Sequence, residues 1–208
     1  VGDEIVRHTL ASRVVHWTVA VSFFACLASG LPIWTPIFGW MAHLFGGLAV
    51  CRWLHPWAGW VFFGAVLVMF VRWAGAMRFK AYDRGWLRRR MAAYLHPERE
   101  DPDVGKYNAG QKALFFGAAL LAIALLASGV VLWWPYEFTQ AQRQVSWVAH
   151  DAGFILFAVL IVAHIYLATV AEPGTFRAMT RGTVTRAWAR SHHPRWYREV
   201  TGEDDRRG

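Results

Sequence analysis

Four long apolar stretches, separated by polar and charged segments, dominate this 208-residue sequence. A helix that crosses a bilayer needs about 20 mostly apolar residues, and each stretch is close to that length. Hydrophobic residues make up 56% of the chain, above the roughly 45–50% of soluble domains. We therefore predict an all-α integral membrane four-helix bundle that forms a single domain over residues 1–208. The spans are predicted at about 14–34, 56–73, 113–134 and 147–170, followed by a tail over 171–208.

The basic residues indicate the orientation of these spans. Of the 22 Lys and Arg residues, the loops after the first and third spans hold one each, Arg52 and Arg143. The other 20 lie in the two tails and the middle loop. By the positive-inside rule, both termini and the middle loop are predicted to be cytoplasmic. This distribution accounts for the net charge of +8 without a nucleic-acid partner.

The sequence contains only two cysteines, Cys26 and Cys51, and no C-x-x-C pair. A c-type haem attachment, a zinc knuckle and an iron–sulfur cluster on this chain are therefore unsupported. No nucleophile–base pair, paired carboxylate site or phosphate-cradling loop is recognisable either. We predict that the chain carries no catalytic residue of its own.

Four histidines fall in or at the apolar spans: His16, His55, His150 and His164. An ionisable residue at membrane depth is costly unless it is paired or liganded. On the predicted topology, His16 and His164 lie on the cytoplasmic side, whereas His55 and His150 lie on the outer side. Two facing imidazoles at each depth suit the axial ligation of two b-type haems, and zinc would need further ligands. Each histidine alone could instead be a hydrogen-bonded interfacial residue.

The spacing of His150 and His164 supports this sorting. The two residues are 14 positions apart, which is about 21 Å along a helix. At about 100° per residue they differ by only about 40° around the helix axis. One helix can therefore offer an iron ligand to each of two sites at opposite depths.

The first and third spans share a short internal repeat. Both contain the sequence Leu-Ala-Ser-Gly, which ends at Gly30 and at Gly129. Small residues allow close approach in membranes, either of another helix or of a flat cofactor. Simple helix packing and cofactor contact are equally compatible with the repeat.

The chain resembles the gamma subunit, a cytochrome b, of membrane-bound formate dehydrogenase. The similarity extends over nearly the whole sequence and includes the spacing of His150 and His164. Its most specific stretches are VGKYNAGQK at 104–112, HHPRWYRE at 192–199 and Leu-His-Pro at 54–56.

The resemblance implies a role in electron transfer. In that family the gamma subunit anchors an iron–sulfur beta subunit and a molybdenum or tungsten catalytic alpha subunit outside the bacterial cytoplasmic (inner) membrane. Electrons from formate pass through an outer and an inner haem b to menaquinone or ubiquinone. The resemblance assigns His55 and His150 to the outer haem iron and His16 and His164 to the inner haem iron. The chain would then be the electron-transfer and quinone-reducing subunit of a formate:quinone oxidoreductase.

The resemblance also implies a quinone pocket at the cytoplasmic edge, formed by Asn108, Gly110 and Gln111 with His164 nearby. Amide side chains and backbone N–H groups can donate hydrogen bonds to a quinone carbonyl, and Gly110 would let a ring approach the backbone. The alternative is that Asn108 caps the third helix, since asparagine is a favoured N-cap residue. Both roles are compatible.

Two other functions remain open on the sequence. The cytochrome b subunit of a nickel–iron hydrogenase has the same four-helix, two-haem organisation but serves another electron donor. A haem-free membrane anchor would only tether its partners. A transporter is less well supported, because no broken helix suggests a substrate site at the middle of the bilayer.

Overall fold

The computed structural model describes residues 3–89 and 104–203. Within them, four helices are long and apolar enough to cross a membrane. This finding confirms the predicted all-α membrane fold. The helices are α1 (Leu10–Trp34), α2 (Leu48–Trp73), α3 (Ala109–Trp133) and α4 (Gln140–Tyr166), and α4 continues as a π-helical turn over Leu167–Ala171.

All four long helices begin before the predicted spans, at Leu10, Leu48, Ala109 and Gln140. A ten-residue 3-10 helix, Pro36–Phe45, follows α1 and ends at Gly46 and Gly47, whose φ angles are 88° and 120°. These left-handed conformations favour glycine. They reverse the chain so that α2 can begin at Leu48, well before the predicted start.

The start of α4 is set by a capping box. The Thr139 backbone N–H donates to Gln142 Oε1 at 2.8 Å, and the Gln142 N–H donates to Thr139 Oγ1 at 3.3 Å. Such reciprocal bonds satisfy backbone donors that the first helical turn leaves without partners. The helix therefore begins at Gln140, about seven residues before the hydropathy signal.

The described residues form two compact units. The helical unit comprises Val14–Arg72 and Ala118–Ile161. Its core is a cluster of buried apolar side chains contributed by all four long helices. Phe23 stacks on Phe157 with ring centroids 5.1 Å apart. The other buried members are Phe62, Val66 and Ala122.

The terminal unit comprises the described residues of Val1–Arg13, Trp73–Gly117 and Val162–Gly208. It contains the one departure from an all-helical chain among the described residues, a two-stranded antiparallel sheet of β1 (Glu4–Val6) and β2 (Thr183–Thr185). Three short helices accompany the sheet: α5 (Thr175–Thr180), α6 (Arg186–His192) and α7 (Pro194–Thr201). Their core consists of Ala178, Val184, Trp188, Ala189, Trp196 and Tyr197. The single-domain assignment stays a prediction.

Candidate functional site

The side chains of His55 and His150 face each other inside the helical unit, and their imidazole rings meet edge-on. His55 lies on α2 and His150 on α4, and both residues are half-buried. Their ring centroids are 6.1 Å apart, with the ring planes at 73°. The structure therefore brings together the two histidines that the sequence assigned to the outer site.

The Nδ1 atom of His55 is oriented by α1. It lies 3.0 Å from the carbonyl oxygen of Cys26 and 3.3 Å from the hydroxyl oxygen of Ser29. A carbonyl oxygen can only accept a hydrogen bond, so Nδ1 must carry the proton and donate it. The Nε2 atom of His55 then keeps its lone pair and is available as a ligand.

The Nδ1 atom of His150 is held in the same way by α3. It lies 3.0 Å from the hydroxyl oxygen of Ser128 and hydrogen-bonds to the backbone of Leu125. Cys26 and Leu125 each immediately precede their Leu-Ala-Ser-Gly segment, and Ser29 and Ser128 each occupy its third position. The internal repeat thus supplies matching supports for the two imidazoles.

The glycine of each repeat makes room for an imidazole. A methyl group built on Gly30 would lie 2.8 Å from Cε1 of His55, and one built on Gly129 would lie 3.3 Å from Cε1 of His150. The first distance is shorter than any ordinary carbon–carbon contact, and the second is tight. These glycines therefore allow the paired histidines of the neighbouring helices to pack closely against α1 and α3.

We expect Gly30→Ala to destabilise the protein more than Gly129→Ala, because the added methyl group would lie closer to the imidazole at Gly30 and would force it to move further. Overpacking of this kind costs about 1–3 kcal/mol. Gly64→Ala is the matched control, since a methyl group at Gly64 meets nothing within 4 Å and should stabilise α2 by up to about 1 kcal/mol. Thermal unfolding of the detergent-solubilised variants, followed by tryptophan fluorescence, measures the order. Equal midpoints for all three variants would contradict this packing.

The facing pair suits a metal centre with two axial imidazoles, such as the iron of haem. The 6.1 Å between the ring centroids would be compatible with one nitrogen of each ring bonding the same metal at about 2 Å. Both histidines can present an unprotonated Nε2, as axial ligation requires. The residues present therefore fit a bis-imidazole haem.

His16 and His164 lie on α1 and α4, as the sequence predicted. The ring of His16 meets the ring of Trp17 edge-on, with centroids 5.5 Å apart. Because α4 is continuous from Gln140 to Tyr166, His150 and His164 share one unbroken helix. The two histidines of the inner pair belong to different compact units, and their pairing stays a prediction.

The predicted quinone residues Asn108 and Gln111 form a capping box at the start of α3. The Asn108 N–H donates to Gln111 Oε1 at 3.0 Å, and the Gln111 N–H donates to Asn108 Oδ1 at 2.8 Å. This confirms the capping role that the sequence left open for Asn108. The box uses the amide oxygens and not the two side-chain NH₂ groups, which are hydrogen-bond donors.

The backbone of Gly110 is approached by an aromatic ring of this chain. A methyl group built on Gly110 would lie 3.0 Å from Cη2 and 3.2 Å from Cζ3 of the Trp86 indole. The absence of a side chain at Gly110 therefore admits Trp86, a residue that the sequence analysis did not single out. An indole beside two amide groups is a surface on which a flat ring can stack.

A buried ion pair lies one residue beyond Gln111. Lys112 Nζ is 2.6 Å from Asp83 Oδ2, and the two side chains are 2% and 5% exposed. Asp83 Oδ2 also accepts a hydrogen bond of 2.7 Å from the Lys80 backbone N–H. The pair fastens the first turn of α3 to the 3-10 turn Ala81–Asp83, which immediately precedes the segment carrying Trp86.

The two longest stretches that carry the family resemblance, residues 104–112 and 192–199, contact each other within the terminal unit. His193 Nδ1 donates to the Gly105 carbonyl oxygen at 2.6 Å, and the Arg195 N–H donates to the Val104 carbonyl oxygen at 3.2 Å. With Nδ1 protonated, His193 Nε2 accepts a hydrogen bond of 3.0 Å from Arg7. Arg7 also donates to the Lys106 carbonyl oxygen at 2.6 Å, so it joins the amino-terminal segment to both stretches.

Arg7 is enclosed by aromatic rings. Its guanidinium lies 5.0 Å from the ring centroid of Trp188 and 4.8 Å from that of Trp196. Burial lowers the pKa of Arg7 to about 10. The pKa of Lys106 is lowered, mainly by burial and secondly by the positive charge of Arg7. Burial raises the pKa of Tyr107. No sequence pattern indicates this cluster, because its members come from three distant segments.

Comparison with known proteins gives a consistent result. The model of a family described as prokaryotic cytochrome b561 matches residues 7–182. The chain is 36% identical over 201 residues to "Formate dehydrogenase, cytochrome b556(fdo) subunit" of Escherichia coli (strain K12), an alignment that covers 95% of this chain and 94% of the relative. It is 37% identical over 199 residues to "Formate dehydrogenase, nitrate-inducible, cytochrome b556(Fdn) subunit" of the same strain, with 94% and 91% covered.

A further relative is "Formate dehydrogenase, cytochrome b556 subunit" of Haemophilus influenzae (strain ATCC 51907 / DSM 11121 / KW20 / Rd). It is 32% identical over 200 residues, which cover 94% of this chain and 83% of the relative. These relatives confirm the resemblance on which the sequence interpretation relied.

Proposed function

The chain belongs to the prokaryotic cytochrome b561 family, and from this premise we propose that it is the membrane cytochrome b subunit of a formate dehydrogenase. It is a multi-pass protein of the bacterial inner membrane. The observation that carries the proposal is the facing pair of His55 and His150, 6.1 Å apart between ring centroids. Each ring is held by a matching hydroxyl and carbonyl group.

Four histidines are the proposed haem ligands. His55 and His150 would hold an outer haem b, and His16 and His164 an inner one. When bound, the haems supply one-electron redox chemistry between the partner subunits and a quinone. The protein's part is to fix the imidazole tautomers, since the supports of Nδ1 leave Nε2 of His55 and His150 free to ligate.

The first turn of α3 is proposed to bind the quinone, either menaquinone or ubiquinone. The NH₂ groups of Asn108 and Gln111 can donate to a quinone carbonyl, and the Trp86 ring beside Gly110 offers a stacking surface. The capping box orients both amides, because their oxygens are committed to backbone N–H groups. Such preorganised donors favour a developing negative charge on the quinone oxygen.

The proposed orientation places both termini and the quinone residues on the cytoplasmic side, following the distribution of Lys and Arg. His55 and His150 are then on the outer side, where an iron–sulfur beta subunit would deliver electrons. That subunit would in turn receive electrons from a molybdenum or tungsten alpha subunit. Formate oxidation belongs to that partner, since this chain offers no candidate catalytic group for it.

The proposal is tested by purifying the intact complex through an affinity tag on this chain and adding formate without oxygen. We expect a b-type haem band in the formate-reduced minus oxidised spectrum. A soluble quinone analogue should then reoxidise the band. Mass spectrometry of the co-eluting chains should identify the alpha and beta subunits.

Molecular hydrogen serves as the comparison donor. Reduction of the haem by hydrogen but not by formate, with a nickel–iron subunit co-eluting, would replace the proposal with a hydrogenase cytochrome. A purified complex without any b-type band would identify the chain as a haem-free anchor.

A further inference from the structure

Two serines of the internal repeat contact the imidazoles of the outer site. Ser29 Oγ lies 3.3 Å from Nδ1 of His55, and Ser128 Oγ lies 3.0 Å from Nδ1 of His150. We propose that Ser29 and Ser128 are positioning residues that fix the tautomer of these imidazoles and set the strength with which their Nε2 atoms donate to iron. This inference rests on the proposed function, because it takes His55 and His150 as haem ligands.

The direction of these hydrogen bonds follows from the other contacts of the hydroxyl groups. Ser29 Oγ lies 2.6 Å from the Ala25 carbonyl oxygen, and Ser128 Oγ lies 2.7 Å from the Ala124 carbonyl oxygen. A hydroxyl has a single hydrogen, and these short contacts to obligate acceptors use it. Each serine therefore presents lone pairs to the imidazole, which must donate from Nδ1.

Burial makes these contacts hard to replace. Ser29 is 0% exposed and Ser128 is 5% exposed, so bulk water does not reach the hydroxyl groups. A side chain without an oxygen at these positions removes an acceptor from Nδ1. The remaining acceptor is then a backbone carbonyl of the same helix, Cys26 for His55 and Leu125 for His150.

The two imidazoles differ in how strongly their Nδ1 hydrogen bonding depends on the serine. At His55 the carbonyl of Cys26 is nearer to Nδ1, at 3.0 Å, than the hydroxyl of Ser29, at 3.3 Å. At His150 the hydroxyl of Ser128 itself lies at 3.0 Å. Because a hydrogen bond weakens with distance, removal of Ser128 should have the larger effect.

Donation from Nδ1 makes an imidazole a more basic ligand. A more basic ligand favours ferric over ferrous iron, so losing an acceptor should raise the reduction potential of the haem. Loss of a hydrogen-bond partner of a ligating histidine typically weakens metal retention by about 10-fold or more. We therefore expect Ser128→Ala to shift one of the two haem potentials upward and to weaken retention of that haem by about 10-fold.

The test is a potentiometric titration of the purified complex, followed by absorption in the b-type band. Ser128→Ala, Ser29→Ala and the control Ser22→Ala are compared with the wild type. Ser22 lies on α1, is 6% exposed and donates to the Thr18 carbonyl oxygen at 2.6 Å. It therefore reproduces the local serine geometry, and within the described part of the chain its hydroxyl group hydrogen-bonds to backbone carbonyl oxygens rather than to an imidazole.

We expect the upward shift to decrease in the order Ser128→Ala, Ser29→Ala, Ser22→Ala, with no shift in the last. The second haem should keep its potential in all three variants. Unchanged potentials in a complex that still contains both haems would overturn the inference and leave the proposed function standing. A wild-type complex without haem would instead reject the proposed function itself.

Discussion

Replacing His164 by leucine is expected to abolish formate-dependent quinone reduction, while formate-dependent reduction of an artificial dye continues. Leucine is similar in volume to histidine and suits an apolar helix, but it has no nitrogen to bind iron. The inner haem should therefore be lost. Dye reduction would take electrons from the proposed partner subunits and would not need that haem. The two activities are measured side by side on membranes that contain the variant complex.

His16→Leu should reproduce the His164→Leu result, because the two side chains are proposed to ligate the same iron. His43→Leu is the control, since His43 is exposed in the 3-10 helix after α1 and has no assigned ligand role. Quinone activity at the wild-type level in either His16→Leu or His164→Leu would reject the inner-haem assignment. Loss of dye reduction as well would point to a failure of assembly.

The second large effect is expected at the ion pair between Lys112 and Asp83. Asp83→Leu should destabilise the protein by about 3–5 kcal/mol, because it leaves the ammonium group of Lys112 buried and uncompensated. The cost is large since the two side chains are only 2% and 5% exposed. Loss of the pair should also weaken quinone binding, because Lys112 follows Gln111 in the first turn of α3. Thermal unfolding and the KM for quinone measure the two effects.

The double substitution Asp83→Leu with Lys112→Met separates charge from packing. It removes both charges and should recover much of the lost stability, since replacing a whole buried pair with apolar residues is often neutral. Glu203→Gln is the surface control. Glu203 pairs with Arg186, but their side chains are 56% and 42% exposed, so we expect no change in the unfolding midpoint. A double variant as unstable as Asp83→Leu would contradict the charge explanation.

The sequence predicts the features of this protein that follow from hydropathy and from helical spacing. Apolar runs give the four helices, and the His150–His164 spacing puts both residues on one helix, which α4 bears out. The approach of His55 to His150 agrees with the predicted topology, which places both residues at span ends on the same side of the membrane. The predicted helix starts are less accurate. A capping box determines the start of α4 at Gln140, and two glycines determine the start of α2 at Leu48, so hydropathy does not locate them.

Contacts between distant polar segments could not be predicted in this way. Lys112 and Asp83 are 29 positions apart, and neither residue type nor spacing indicates their pairing. Trp86 and Gly110 are likewise distant in the sequence, and no pattern indicates that the indole approaches this glycine. Ser29 and Ser128 were predictable only in part. The internal repeat contains both residues, but it does not indicate that their hydroxyl groups contact imidazoles.

The pairing of histidines around iron is the central claim, and haem content per chain tests it most directly. The pyridine haemochrome assay on the purified complex should give two haems b for each copy of this chain. The same assay on the His150→Leu variant should give one. A wild-type complex with no haem b, or a His150→Leu complex that keeps both haems, would contradict the account.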